Sequence, residues 1–198
     1  MKQGSRESRK RRLRRLSNGP YPALTIRYGR RYLIDYPDDG FAWLLVGVAL
    51  VELARHEEAE QALVKALEFC PTNKRSIPLS HMGHLFDLAG DHDQAAEWYR
   101  RAIEADPIDA SYQIYLGGTL AKQGRLHEAE EAFRKAVACT EGCIDEAYLN
   151  LGFILRARER FAEAAECFRE ALRRDPDYRA ARQALRDVEL CIKLERRG

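Results

Sequence analysis

The chain has 198 residues, of which 45% are hydrophobic and 32% charged, with few Gly and Pro. That is enough chain to bury a sizeable core, while charges interrupt every apolar run well short of the ~20 residues a spanning helix needs. The net charge of +2 averages two unlike parts: residues 1–31 carry eleven basic side chains against Glu7 alone, and residues 32–198 are acidic. Five cysteines, an odd number without a dense framework, suit a reducing compartment. The N-terminus lacks the apolar stretch of a secretory signal, so the expected location is cytoplasmic, or nuclear in a eukaryotic source.

In chain order, residues 1–19 form a basic arm in which Arg9, Lys10, Arg11, Arg12, Arg14 and Arg15 fall within seven positions. Like charges at this density repel, so the arm is expected to be disordered or weakly helical when unbound. Residues 20–39 hold one helix, near 22–36. Its apolar residues include Ile26, Tyr28, Tyr32 and Leu33, and Tyr36-Pro37-Asp38 closes it.

From residue 40 the chain repeats itself. Gly47, Gly83, Gly117 and Gly152 recur at intervals of 36, 34 and 35. Twelve residues after each stands Ala59, Ala95, Ala129 or Ala164; four further on, Leu63, Tyr99, Phe133 or Phe168; three beyond that, Ala66, Ala102, Ala136 or Ala171. Pro71, Pro107 and Pro176 close three of the units, with Glu141 at that place in the third. The pattern predicts helix pairs near 41–53 and 57–70, 76–89 and 92–105, 110–123 and 126–139, and 145–158 and 161–174. The repeats are thus 40–75, 76–109, 110–144 and 145–177. The small residues let the two helices of a unit approach, and the large ones are expected to fill the space between neighbouring units. Gly90 and Gly124 suit left-handed caps after the first helix. Residues 178–198 predict an amphipathic capping helix with Ala181, Ala184, Leu185, Val188, Cys191 and Ile192 on one side.

These columns, with Trp43-x2-Val46-Gly47 and Tyr148-x2-Leu151-Gly152 in the first halves, resemble the tetratricopeptide-repeat (TPR) family over residues 40–176. The departures are Gln113 for the first aromatic, Glu141 for the proline, and short insertions at two junctions. The resemblance implies an all-α solenoid of four helix-turn-helix repeats, with a single N-terminal helix and a C-terminal capping helix. It also implies an adaptor or assembly factor that holds a peptide segment of a partner in a concave groove of first helices. Carried over position by position, the groove residues are Leu44, Val48, Ser80, His81, His84, Ile114, Tyr115, Leu149, Asn150, Phe153 and Arg156. The co-chaperone members of the family clamp two carboxylates with Lys, Asn and Arg. At those places this chain has Leu44, Val48, His81, Ser111 and Tyr115, or in the next register Ser80, His84, Tyr115, Glu146 and Asn150, and neither set can clamp.

Other readings stay open. The arm could supply affinity for nucleic-acid phosphates, without the interleaved aromatics that read sequence. Leu13 and Leu16 are too little apolar surface for a membrane helix. Groove residues could instead be inter-helix core, the apolar groove could serve a secretion-type chaperone, and the face of residues 178–194 could join two copies. Catalysis and cofactors are not expected, because there is no Gly-rich phosphate loop or nucleophile elbow. Cys139-x3-Cys143 lacks a following His at metal-site spacing, and His81-x2-His84 with Asp87 lacks the H-E-x-x-H pattern.

Overall fold

The computed structural model describes residues 2–195, with side chains from residue 6. Eleven α-helices make up the described chain: α1 (Lys2–Ser17), α2 (Pro22–Asp35), α3 (Gly40–Glu52), α4 (His56–Phe69), α5 (Ser76–Leu88), α6 (His92–Ala105), α7 (Ala110–Lys122), α8 (Leu126–Val137), α9 (Ile144–Ala157), α10 (Phe161–Arg174) and α11 (Arg179–Glu195). They group into two compact units, Met1–Ala105 and Asp106–Gly198. Among the described residues there is no strand, only an isolated bridge between Asp109 and Glu141.

In the first unit α3 packs on α4 and α5 on α6, and each second helix lies against the first helix that follows it. The second unit repeats the scheme with α7 on α8 and α9 on α10, and α11 covers α10. Within each unit the first helices of successive pairs also touch: α1 with α3, α3 with α5, α7 with α9 and α9 with α11. No comparable packing joins α2 to α4, α4 to α6 or α8 to α10 among the described residues. The first helices therefore form one continuous face in each unit. The architecture is all-α and of the solenoid type.

The spacing of the repeat has a steric cause. A Cβ at Gly47 would lie 2.9 Å from the Leu63 side chain, at Gly83 2.6 Å from the Tyr99 ring, and at Gly117 2.8 Å from the Phe133 ring. Gly152 meets Phe168 in the same way. This corrects the expectation that the large residues fill the space between units. Each lies on the glycine of its own helix pair, where its bulk replaces the missing side chain.

The arm departs further from expectation. It is helical as α1 and docked on α2 and α3. Leu13 is 0% exposed and lies beside Gly29, whose missing side chain also makes room for Val46. Its inward charges meet acids on the body: Arg9 Nη1 donates to Asp35 at 2.6 Å, and Lys10 Nζ to Asp39 at 2.9 Å. Arg6 lies 4.9 Å from the Tyr36 ring centroid and Arg9 5.6 Å from those of Tyr32 and Tyr36. Part of the repulsion that argued for disorder is cancelled by these partners, which the pattern of the arm alone does not display.

Candidate functional site

The first-helix face can be built up column by column. Residues 41, 45, 48 and 52 of α3 follow i, i+4, i+7, i+11 spacing and so share one stripe of the helix. The equivalent stripes are 77, 81, 84 and 88 on α5; 111, 115, 118 and 122 on α7; and 146, 150, 153 and 157 on α9. Every one of these sixteen residues is exposed or half-buried. A neighbouring column is not. Leu44, Ser80, Ile114 and Leu149, each three residues before the repeat glycine, are buried. These four were expected to line the groove and instead pack inside. They face the adjoining helices rather than solvent, and the Ser80 hydroxyl donates to the Ile77 carbonyl at 2.8 Å.

In the first unit five of the eight stripe residues are apolar, with Glu52, His81 and His84 the exceptions. Phe41 is 37% exposed and Ile77 44%, with half-buried Leu45 and Val48 between them and exposed Leu88 beyond. Lys10 Nζ lies 5.4 Å from the centre of the Phe41 ring. His81 is half-buried, and burial, followed by the nearby His84, pushes its pKa down to about 4. At neutral pH it is an uncharged ring in an apolar surface. His84 is exposed. Asp87, the third member of the His81-x2-His84 trio, instead meets His92 Nδ1 at 3.0 Å. Among the described residues no group of three or more His, Cys, Asp or Glu side chains is placed to hold a metal ion.

In the second unit the stripe is more polar and contains a notch. Tyr115 of α7 is 47% exposed, and burial followed by the charges of Glu146 and Asp109 raises its pKa. One turn on, a Cβ at Gly118 would meet nothing within 4 Å, so the helix surface there is open. On α9, which touches α7, Asn150 and Phe153 are half-buried. Phe153 packs edge-on against Phe168 with ring centroids 5.5 Å apart. The Arg156 guanidinium lies 5.1 Å from the Phe153 ring centroid, and its Nη1 donates to Asp187 of α11 at 2.9 Å. Arg156 is thus engaged within the chain. Cys139 and Cys143 do not act together: the Cys139 thiol donates to the Lys135 carbonyl at 3.4 Å, and Cys143 is exposed.

Leu45 and Gly118, which the aligned repeats also place at groove positions, belong to this accessible stripe. Two buried carboxylates were not marked by the sequence. Asp39 accepts from Tyr32 Oη at 2.8 Å, from Lys10 and from the Ala42 amide at 3.2 Å, and so caps α3. Burial pushes its pKa up, but the hydrogen bonds from Lys10 and Tyr32 outweigh this and hold it below the usual range. Burial and the bond to Asp39 raise the Tyr32 phenol to about 12. In the second unit buried Glu130 accepts from Arg134 at 2.8 Å and from Arg160 at 2.8 Å, and pairs with Arg158. This cluster ties α8 to the turn before α10. No period in the sequence marks either acid as buried.

Family patterns described as tetratricopeptide repeat match residues 38–108, 82–142 and 145–178. Human tetratricopeptide repeat protein 7B is 28% identical over 130 residues, covering 66% of this chain and 15% of that protein. The Hsp70-Hsp90 organising protein of Plasmodium falciparum is 26% identical over 110 residues, 56% of this chain and 43% of that protein. The chain therefore spans less than half the length of either relative. Among solved structures, YrrB, described as a TPR protein with an unusual peptide-binding site, superposes with a TM-score of 0.64 at 21% identity, covering 87% of each chain. At that identity the likeness speaks for the fold alone.

Proposed function

The chain belongs to the tetratricopeptide-repeat family, and from that premise we propose that it is a non-catalytic adaptor or assembly factor that receives a peptide segment of a partner protein on its first-helix face. The observation that carries this reading is the stripe at i, i+4, i+7 and i+11 of each first helix. In the first unit it aligns exposed Phe41 and Ile77 with Leu45 and Val48 on touching helices, and such an aligned patch, unlike the singly exposed Ile34 or Leu194, marks a contact surface. In the second it leaves Tyr115 exposed on α7, which touches α9. Aromatic and aliphatic anchors on rigid helices, with few charges among them, suit an extended or helical peptide with apolar side chains at regular spacing. Neutral His81 adds no charge beside Phe41, Leu45, Val48 and Ile77 at pH 7, and Glu52 stands at the end of the α3 stripe. Tyr115, Asn150 and the open surface at Gly118 can take hydrogen bonds and one bulky side chain in the second. The face has no pair of basic side chains for a terminal carboxylate, so the partner segment is read as internal. Five unpaired cysteines, and the lack of any described helix long and apolar enough to cross a membrane, fit the cytoplasmic setting we propose.

The test exploits Gly118. A tryptophan there enters open space on a helix, so Gly118→Trp should fold as the parent does while filling the notch. Affinity capture from source-cell lysate should lose its protein partner with Gly118→Trp and with Tyr115→Glu, and keep it with Tyr115→Phe. Undiminished capture by both disruptive variants, with helicity unchanged by circular dichroism, would rule out this face as the site.

A further inference from the structure

The charge of α1 divides into two sets with different fates. Arg6, Arg9 and Lys10 turn towards the body and meet Asp35, Asp38 and Asp39. Arg11, Arg12, Arg14 and Arg15 are exposed, and among the described residues none of them makes an ion pair with a carboxylate. Arg12 instead lies over the Tyr28 ring of α2, 5.2 Å from its centroid, and Arg11 Nε reaches only the Glu7 carbonyl at 3.4 Å. Between α1 and α2 lies a hollow of ≈ 690 Å³ whose lining includes Arg9, Arg11, Arg12, Arg15, Ser8 and Tyr28, with no carboxylate side chain among the described residues. Guanidinium groups gathered around one cavity repel one another, and an anion in the hollow would remove that cost.

We propose that this hollow and the outward arginine face bind the phosphodiester backbone of single-stranded nucleic acid without regard to sequence. The residue type fits: the planar fork of arginine matches two oxygens of one phosphate, and it keeps its charge at any physiological pH. The spacing fits as well. Arg11 and Arg15 lie on one face about 6 Å apart along the helix axis, so they can follow a strand from one phosphate to the next. The Tyr28 ring carries the Arg12 guanidinium over it, and the outer plane of that guanidinium offers a surface on which a base can stack without sequence readout. The same features weigh against two other polyanions. A membrane surface would need an apolar edge to insert, but Leu13 is buried against the body and Leu16 is partly covered. An acidic polypeptide would need its carboxylates in an unbroken run and makes no use of the aromatic wall, whereas nucleic acid carries one charge per nucleotide whatever its sequence. This site shares no residue with the first-helix stripe, so the two readings stand or fall separately.

The test uses the full chain and fluorescence anisotropy with a labelled oligouridylate. Polyglutamate and phosphatidylserine-containing vesicles serve as alternative probes. The oligonucleotide should bind at low salt and weaken about tenfold or more between about 50 and 200 mM salt. Arg11→Gln, Arg12→Gln and Arg15→Gln together should weaken binding at least about tenfold and reduce the magnitude of the log–log salt slope by about 2. Arg179→Gln with Arg186→Gln, on exposed positions of α11, should change neither. If the triple variant loses helicity, Arg15→Gln alone should still lower the slope by about 0.7. The proposal is overturned if the oligonucleotide fails to bind at low salt, if the arginine variants bind as the parent does, or if polyglutamate or the vesicles bind more tightly at equal charge.

Discussion

Among single residues, identity matters through its column. The buried column of Leu44, Ser80, Ile114 and Leu149 and the accessible column of Leu45, His81, Tyr115 and Asn150 are adjacent in sequence. On a helix, adjacent residues point about 100° apart, which is the difference between core and contact surface. Both columns were legible as columns in the sequence, but which of them faces outward was not, because both mix apolar and polar residues. His81 gives this distinction a measurable consequence. Its pKa in the folded chain is depressed to about 4, so folding favours the neutral ring. The stability this confers is complete above the unfolded value near 6.5 and is lost as pH falls towards 4. Urea unfolding should show a loss of about 1–2 kcal/mol from this group between about pH 7.5 and pH 5. His81→Gln should flatten that part of the profile. A profile of unchanged slope in the variant would show that His81 does not carry it.

The helices themselves are joined by a recurring device. After the first helix of every repeat the chain makes the same backbone closure: Arg55 N to Leu50 O at 3.0 Å, Asp91 N to Phe86 O at 2.9 Å, Arg125 N to Leu120 O at 3.0 Å and Arg160 N to Leu155 O at 2.9 Å. Each closure needs a left-handed residue just before it. Gly90 and Gly124 supply it with φ of 83° and 74°, and the sequence marked both as caps. In the first and fourth repeats Ala54 and Glu159 adopt the same conformation, at φ of 54° and 60°, without glycine's freedom. No residue pattern announced these two, because the repeat forces the turn on whatever residue stands there. Left-handed backbone costs a residue with a side chain about 1–2 kcal/mol, part of which glycine returns through its unfolded-state entropy. Ala54→Gly should therefore raise unfolding stability by about 0.5–1 kcal/mol, and Gly124→Ala should lower it by about 1 kcal/mol. The Gly124 site is sterically open, so its cost would be conformational alone. Denaturant midpoints read both; a loss of stability in Ala54→Gly would contradict the account of the turn. Helix α1 shows the opposite limit of legibility. Its basic run was plain, but its docking depends on Asp35, Asp38 and Asp39, which lie about thirty residues away and are brought beside it only by the turn between α1 and α2 and the packing of α3.

For the molecule as a whole, periodicity carried the fold. Four aligned glycines, four large residues set against them and the alanines between them specify helix pairs and their order, because a pair with that composition cannot bury its face alone. Function was legible only as a class, since the same scaffold serves many partners and the choice lies in which side chains occupy the accessible stripes. The stripe at 41, 45, 48 and 77 is apolar and is continued by His81 and His84; that at 111, 115 and 118 with 146, 150 and 153 is mixed. The two units thus present different chemistry, each on its own first-helix face. The most direct test of that reading is site-specific photo-crosslinking in source cells, with a photoreactive phenylalanine at Tyr115 or, for comparison, at exposed Glu131 on α8. The account predicts one dominant protein adduct from position 115, mapping to a short segment with regularly spaced apolar residues, and none of it from position 131. Equal adducts from both positions, or an adduct from 131 alone, would contradict the assignment of the first-helix face as the binding surface.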